Sequence, residues 1–202
     1  MRKLLFILPI IFLNWRCDPR PDIFQPSIEI KAQVINPKTD IQLGDSVAFY
    51  FEVPDSIELD GKKIKATAIN RDGANIGFFA NKIIPSSTGG FSGGFSENTC
   101  NVYANPGNIS YNTFTLANQN GKLWGKYYMI PQQKGVYFFE QTQDGYIDLN
   151  NGGLKLRFTF NFGNINRNHQ ILIDSAGTTY NFASFLQGKL NDGLEVYGFR
   201  VK

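Results

Sequence analysis

The feature that most constrains the fold of this 202-residue chain is a repeated alternation of apolar and polar residues. From position 154 to position 162 every second residue is Leu or Phe, and polar residues such as Arg157 and Asn161 stand between them. Residues 28–34 and 47–53 show the same period of two. Because successive side chains of a β-strand point to opposite faces, this period predicts strands with one face in a core.

Turn signals separate the alternating runs. Asn120-Gly121 lies between the strand-like segments 112–118 and 122–130, and it predicts a tight hairpin. Glycine adopts a positive φ without steric cost, and asparagine and aspartate tolerate it. Three further pairs suit tight turns for the same reason, namely Asp60-Gly61, Asp144-Gly145 and Asn151-Gly152.

A fifth pair, Asp192-Gly193, predicts a link between strands over 182–190 and 194–201. About ten strands are expected in all, and no amphipathic helix of ten residues is expected. Many short strands separated by turns, without alternating helices, favour an all-β fold with an antiparallel β-sandwich architecture.

Two segments resemble strands of immunoglobulin-like sandwich domains. Residues 43–51, Leu-Gly-Asp-Ser-Val-Ala-Phe-Tyr-Phe, are similar to an early strand that follows a Gly-Asp turn. Residues 134–139, Lys-Gly-Val-Tyr-Phe-Phe, are similar to a later strand that follows a corner. The resemblance implies an immunoglobulin-like or related β-sandwich, expected as one domain over residues 27–202. The Cys-Trp-Cys core of antibody domains is absent from this sequence.

The first 17 residues have the layout of an export signal. Arg2 and Lys3 precede ten apolar or proline residues over 4–13, and Cys17 follows shortly after them. This run is too short for a membrane-spanning helix, which needs about 20 apolar residues. The segment resembles the start of a bacterial lipoprotein precursor, which implies that residues 1–16 are a signal peptide and that lipid is attached to Cys17. An ordinary cysteine near the end of a signal is the alternative.

Residues 17–26 contain three prolines and predict an extended tether between the anchor and the domain. The resemblance thus implies a membrane partner, reached through the lipid, and an outer-membrane location. Asp-Ser-apolar triplets begin at Asp45, Asp55 and Asp174. They resemble the acceptor triplet for O-linked glycans on exported proteins of Bacteroidetes-type bacteria and favour such a source, although Asp and Ser also favour turns.

The formal net charge of +3 does not indicate a basic binding surface. Arg2, Lys3 and Arg16 lie in the predicted signal, and from Cys17 onward the chain has 17 basic and 17 acidic residues. No nucleic-acid partner is expected, because such proteins carry a basic stripe or patch. Two cysteines and one histidine do not supply a zinc-type ligand set, and no cofactor is expected.

The Gly- and Ser-rich segment 85–100 contains Gly90-Phe-Ser92-Gly-Gly94, a literal G-x-S-x-G match. Ser92, followed by Asp144 or Asp148 and then His169, has the chain order of an α/β-hydrolase triad. That motif requires a strand leading into it and a helix leaving it, and the sequence predicts neither. A serine hydrolase is therefore the third choice, no catalytic residue is assigned, and His169 is interpreted as a polar turn residue between strands.

Oxygen-bearing side chains are dense over residues 144–152, where Asp144, Asp148 and Asn150 occur close together. Calcium prefers six to eight oxygen ligands, so this segment is a candidate calcium loop. The EF-hand pattern fails, because the twelfth position counted from Asp148 is Thr159 instead of Glu. Two hairpin turns explain the same residues, and no metal site is predicted.

Trp124, Lys126 and Tyr128 are expected on one face of a strand, because they stand at every second position. A Trp/Tyr pair beside a cation is a candidate platform for a sugar ring, since an aromatic ring offers a flat apolar face and a polar edge. The alternative is that Trp124 belongs to the core, because one face of this strand must pack there.

These observations favour an exported, lipid-anchored, non-enzymatic module that interacts with a protein of the cell envelope, as an accessory of a larger assembly. A carbohydrate-binding module that uses Trp124, Tyr128 and the 85–100 segment is the alternative. The exposure of Trp124 separates the two, because a buried tryptophan removes the platform.

Overall fold

The computed structural model describes residues 27–59, 61–65, 69–84, 99–110, 113–149, 155–163, 165–176 and 181–202. The predicted signal peptide, Cys17 and the tether lie outside these residues, as does most of the 85–100 segment. The described part is rich in β-structure and contains two short helices. The strands are β1 Ser27–Ile35, β2 Asp40–Ile41, β3 Val47–Glu52, β4 Ser56–Leu59, β5 Lys62–Lys65, β6 Ile69–Lys82, β7 Cys100–Ala104, β8 Asn108–Ser110, β9 Thr113–Thr115, β10 Ala117–Gln119, β11 Lys122–Pro131, β12 Gly135–Leu149, β13 Lys155–Asn161 and β14 Val196–Val201; the helices are α1 His169–Ala176 and α2 Phe182–Asn191.

One large sheet contains twelve of these strands, in the order β10-β11-β3-β1-β13-β12-β6-β9-β8 with three strands beside this path. Strand β7 pairs with β11, while β14 pairs with β12 and β2. The long strand β12 pairs with β6 along one edge and, along the other, with β14 in its first half and β13 in its second. Strands β4 and β5 form a separate hairpin.

The sheet is mixed, so the expectation of a purely antiparallel arrangement is wrong. Strand β1 runs parallel to β13, with Ser27 opposite Arg157, and β14 runs parallel to β2. A parallel pair cannot be closed by a hairpin and joins segments that are distant in the chain. The alternation of residue types indicates which face of a strand is buried but not the direction of its neighbour.

Aromatic side chains fill the main core between facing parts of the sheet. The ring of Phe49 stacks on Phe139 with centroids 4.2 Å apart, and Phe78 lies 5.4 Å from Phe139. Phe160 meets Phe51 edge to face at 5.0 Å. The predicted faces of β1, β3 and the end of β13 are confirmed by the burial of their alternating apolar residues, which are Ile30, Ala32, Val34, Val47, Phe49, Phe51, Phe160 and Phe162.

The Asn120-Gly121 hairpin is confirmed. Both residues have positive φ, at 53° and 75°, and they join β10 to β11 with Gln119 opposite Lys122. The single strand expected over 112–118 is instead divided, because β9 pairs with β6 and β8 while β10 pairs with β11. Tertiary pairing with different partners ends one strand and starts the next.

Asp144-Gly145 is not a turn between strands, since both residues lie inside β12. The pairing of β12 with β6 shifts between Gln143 and Tyr146, so the irregularity that the Asp-Gly pair signals is a local register shift. The side chains of residues 142–150 lie outside the description, as do Asn151 and Gly152.

Residues 182–190 form helix α2 and not the expected strand. The Asn181 side chain accepts a hydrogen bond from Ser184 N at 3.0 Å, which caps the first turn. The helix ends before Gly193, whose φ is 70°. Phe182 and Leu186, four positions apart, both lie in a second core. The apolar spacing is helical, and packing against the sheet stabilises it.

The two helices cover one outer side of the sheet at β12 and β14. Leu172 of α1 lies so close to Gly198 that a Cβ there would meet its Cγ at 2.7 Å. Partly buried ion pairs connect the same surfaces: Arg167 Nε donates to Glu195 at 2.6 Å, and Lys189 pairs with Glu140. Within the described residues, neither helix has the length and apolar character needed to cross a membrane.

Candidate functional site

Strand β11 separates its side chains cleanly between two environments. Leu123, Gly125, Tyr127 and Met129 are buried, and the residues between them are half-buried. Trp124, Lys126 and Tyr128 therefore lie together on the outer side of the strand, as the period of two predicts. Trp124 is half-buried and does not belong to the buried core, so burial does not remove a platform at this position.

Two neighbouring strands extend this group into a larger surface. Tyr50 of β3 lies 5.9 Å from Trp124 between ring centroids, with the planes tilted by 42°. Tyr103 of β7 stacks on Tyr128 at 4.4 Å with nearly parallel planes, 5° apart. We call this surface, made of Tyr50, Tyr103, Trp124, Lys126 and Tyr128, the aromatic face.

Sequence reasoning did not find Tyr50 and Tyr103 as members of the site. Tyr50 alternates with the buried residues of its strand, and this position indicates that its ring points away from the core. The sequence near Tyr50 does not indicate which strand lies beside it. The register supplies that information, because Lys126 lies opposite Tyr50 and Tyr128 lies opposite Tyr103. Tyr103 remains 44% exposed, so the aromatic face presents a ring to solvent.

A charged cluster fixes the Trp124 end of the aromatic face. The Tyr50 hydroxyl donates to Glu52 Oε2 at 2.5 Å, and Glu52 also pairs with Lys122 at 3.3 Å and Lys31 at 3.8 Å. The ammonium of Lys31 lies 5.7 Å from the centre of the Tyr50 ring. These contacts hold the Tyr50 ring in place beside Trp124 and leave cations at the rim.

The protonation states of this cluster follow from the same contacts. Burial raises the pKa of Tyr50 to about 12, and the hydrogen bond to Glu52 adds to that increase. The hydrogen bond from Tyr50, followed by the contacts with Lys122 and Lys31, lowers the pKa of Glu52. At neutral pH, Tyr50 is a hydrogen-bond donor and Glu52 is a charged acceptor.

Of the remaining sequence candidates, only His169 has its side chain within the described structure. His169 is the first residue of α1 and its Nε2 donates to Val196 O at 2.9 Å, so the interpretation as a turn between strands is wrong. Ser92 lies outside the described residues, as do the side chains of Asp144 and Asp148. The described residues therefore do not test the hydrolase and calcium hypotheses, neither of which the sequence favours.

Cys100 is buried and carries a free thiol, whose pKa burial raises to about 12. A thiol in this environment stays protonated and is a poor nucleophile or metal ligand. Across the parts of the chain that the structure describes, no group of three or more His, Cys, Asp or Glu side chains is placed to hold a metal ion.

The aromatic face is the candidate functional site because it combines one exposed ring, three half-buried rings, cations and a fixed carboxylate on one sheet surface. These groups offer stacking and hydrogen bonding, which are the means of binding a polar ligand with an apolar side. This geometry, and not a sequence match, supports the functional argument, because no protein-family model matches the chain and no curated protein matches it.

Proposed function

We propose that this protein is an exported, lipid-anchored, non-enzymatic binding module of the cell envelope, and that its aromatic face binds carbohydrate. The observation that carries the proposal is the row of aromatic side chains on an outer sheet surface, with Trp124 half-buried beside Tyr50 and Tyr128 stacked on Tyr103. Carbohydrate binding is the alternative on the sequence alone, and the outward, half-buried position of Trp124 supports proposing it first.

Stacking on a sugar is the chemistry that this surface suits best. One side of a pyranose ring presents C–H groups, and aromatic rings offer a flat apolar surface to them. Hydroxyl groups at the edge of the sugar require polar partners, and Lys126, Lys31 and Glu52 stand at the rim. Tyr50 is held by Glu52, and Tyr128 is held by Tyr103, so little side-chain freedom is lost on binding.

The envelope location rests on the N-terminal sequence. Arg2, Lys3, the apolar run and Cys17 supply the export signal and anchor, and residues 17–26 supply a tether into β1. We further propose that the β-rich domain is an immunoglobulin-like β-sandwich. The packing of Phe49 against Phe139 from facing parts of the sheet supports two layers around one core.

A protein partner in an envelope assembly is the second candidate function. Tyrosine and tryptophan are enriched in the central parts of protein interfaces, where a few aromatic side chains supply most of the binding energy. The 44% exposed ring of Tyr103, next to Tyr128, favours this candidate.

Affinity electrophoresis of the purified protein in gels that contain soluble glucan, mannan, xylan or galactan tests the carbohydrate function. Trp124 is the only tryptophan after Cys17, so its fluorescence reports binding directly in titrations with the same polymers. Trp124→Ala should weaken binding at least about tenfold, which corresponds to about 1.4 kcal/mol, and Trp124→Phe should retain part of it.

Phe185→Ala is the matched control, because it removes a half-buried ring from α2, which packs on another side of the sheet. Its binding should equal that of the wild type. If no polymer retards the protein, and if crosslinking from position 103 captures one envelope protein that Trp124→Ala no longer captures, the second candidate replaces the first.

A further inference from the structure

A pocket of about 360 Å³ continues the aromatic face beyond Tyr128. Ala48 lies opposite Tyr128 in the register of β3 and β11, on the same outer side, and its small side chain leaves space beside the ring. The exposed polar residues that line this pocket are Asn36, Lys38, Asp45 and Ser46.

The polar wall of the pocket is held in shape by local backbone structure. Asp45 Oδ2 accepts a hydrogen bond from Gln42 N at 3.1 Å, and Asp45 N donates to Gln42 O at 3.0 Å. Asn36 has a φ of 51°, a left-handed conformation that directs the chain out of β1. Carboxylate, hydroxyl, amide and ammonium groups thus line a single space, and the turn that carries Asp45 is fixed before any ligand binds.

The pocket lies at one end of the aromatic face. Strand β1 stops at Ile35, β3 begins at Val47, and the segment between them supplies the polar wall. Trp124 and Tyr128 are four residues apart on β11, which separates them by about 14 Å at about 3.4 Å per residue. A ligand lying along the face from Trp124 towards Tyr128 therefore arrives at this pocket and its polar wall.

This pocket is also at the end of β1 opposite to Ser27, which follows the predicted tether. Nine residues of strand span about 27 Å between these ends. A lipid anchor at Cys17 would therefore precede the end of β1 that lies opposite to the pocket.

We infer that this pocket binds the terminal sugar of a glycan chain, and that the aromatic face binds the units that follow it. The inference rests on the proposed carbohydrate function and adds that recognition is of chain ends. Tyr128 stacks on the terminal ring, and Asp45, Ser46 and Asn36 hydrogen-bond the hydroxyl groups that only a chain end presents.

Limited endo-hydrolysis of a polysaccharide that the wild type binds gives a direct test. At equal mass, hydrolysed polymer has more chain ends and the same sugar composition, so the number of protein molecules bound per gram should rise in proportion to the ends. The Asn36→Gly/Ser46→Ala double variant should lose this increase and bind about tenfold more weakly. Glycine suits the φ of residue 36, so the backbone is preserved.

Leu43→Ala is the control, since Leu43 is exposed in the same segment and does not line the pocket. Thermal melting should show that all variants remain folded. If hydrolysis leaves the bound amount unchanged and the double variant binds like wild type while Trp124→Ala does not, the chain-end inference is overturned and the carbohydrate function stands. If no polymer binds the wild type, both are overturned.

Discussion

The ring of Phe114 lies directly against Gly125. A Cβ placed on residue 125 would be 2.5 Å from Phe114 Cζ and 2.7 Å from the backbone oxygen of Pro106. A Cβ placed on residue 107 would be equally close to the same ring, at 2.5 Å from Phe114 Cε2. The chain between β7 and β8 and the ring from β9 therefore pack against β11, behind the aromatic face, only because glycine occupies both positions.

Gly125→Ala should destabilise the protein by about 1–3 kcal/mol, because backbone and a buried ring must move to admit the methyl group. Urea unfolding measures the loss. The control is Gly188→Ala in α2, where a Cβ meets nothing within 4 Å, and where alanine should be neutral or stabilising by about 0.5–1 kcal/mol. Equal stability of the Gly125→Ala variant and the wild type would show that this close approach does not exist.

The alternation in β13 makes a prediction about its inner face. Phe160 is 2% exposed and packs on Phe51, so Phe160→Ala should cost about 3–5 kcal/mol. Thr159→Ala, one position earlier and on the opposite side, should change stability far less. A larger loss for Thr159→Ala in thermal melts would mean that the register is wrong by one residue. Arg157→Ala and Phe158→Ala would make the same comparison, but the structure does not describe these two side chains.

Glu52 should make stability depend on acid pH. Its pKa in the folded protein lies below the ordinary value of 4.5, chiefly because Tyr50 donates a hydrogen bond to the carboxylate. A lowered folded pKa stabilises the protein above that ordinary value, and the contribution is lost as the pH falls through the folded pKa. Glu52→Gln should thus be less stable than wild type near neutral pH, and the difference in melting temperature should shrink in acid.

Glu29→Gln serves as the comparison for this pH series, because it removes an exposed carboxylate from the neighbouring strand β1. It shows how much of any change in melting temperature comes from removing a carboxylate from this part of the surface. A constant difference for Glu52→Gln would exclude the proposed link between Tyr50 and Glu52.

Cys17→Ser should release the protein from membranes, because serine has no thiol to carry lipid. Fractionation of cells that express each form, with mass analysis of the N-terminal peptide, measures both effects. Equal retention of the two forms in the membrane fraction would contradict the anchor. Loss of membrane association without a lipid mass on wild-type Cys17 would assign the thiol another role.

Local sequence was sufficient for features that depend on near neighbours. The burial of Phe49 and Phe51, the turn at Asn120-Gly121 and the outward position of Trp124 all follow from period and turn chemistry. These features need only the geometry of a single strand and its own turn, which the chain specifies within a few residues.

Helix α2 shows where this local reasoning fails. Residues 182–190 contain two Phe residues and a glycine, which weaken a helical assignment, and their apolar residues were interpreted as a strand. Phe182 and Leu186 pack in one core with Phe138, and this packing stabilises the helix. Burial of an amphipathic face supplies most of a short helix's stability, and that face exists only in the folded protein.

The candidate site likewise depends partly on local sequence and partly on tertiary structure. Sequence placed Trp124, Lys126 and Tyr128 on one side of a strand, whereas Tyr50 and Tyr103 joined them only through the pairing of β11 with β3 and β7. These strands are brought together by contacts between residues far apart in the chain, including the parallel pair β1 and β13. Side-chain direction is a property of one strand, but the neighbour across a sheet is chosen by the packing of the whole core.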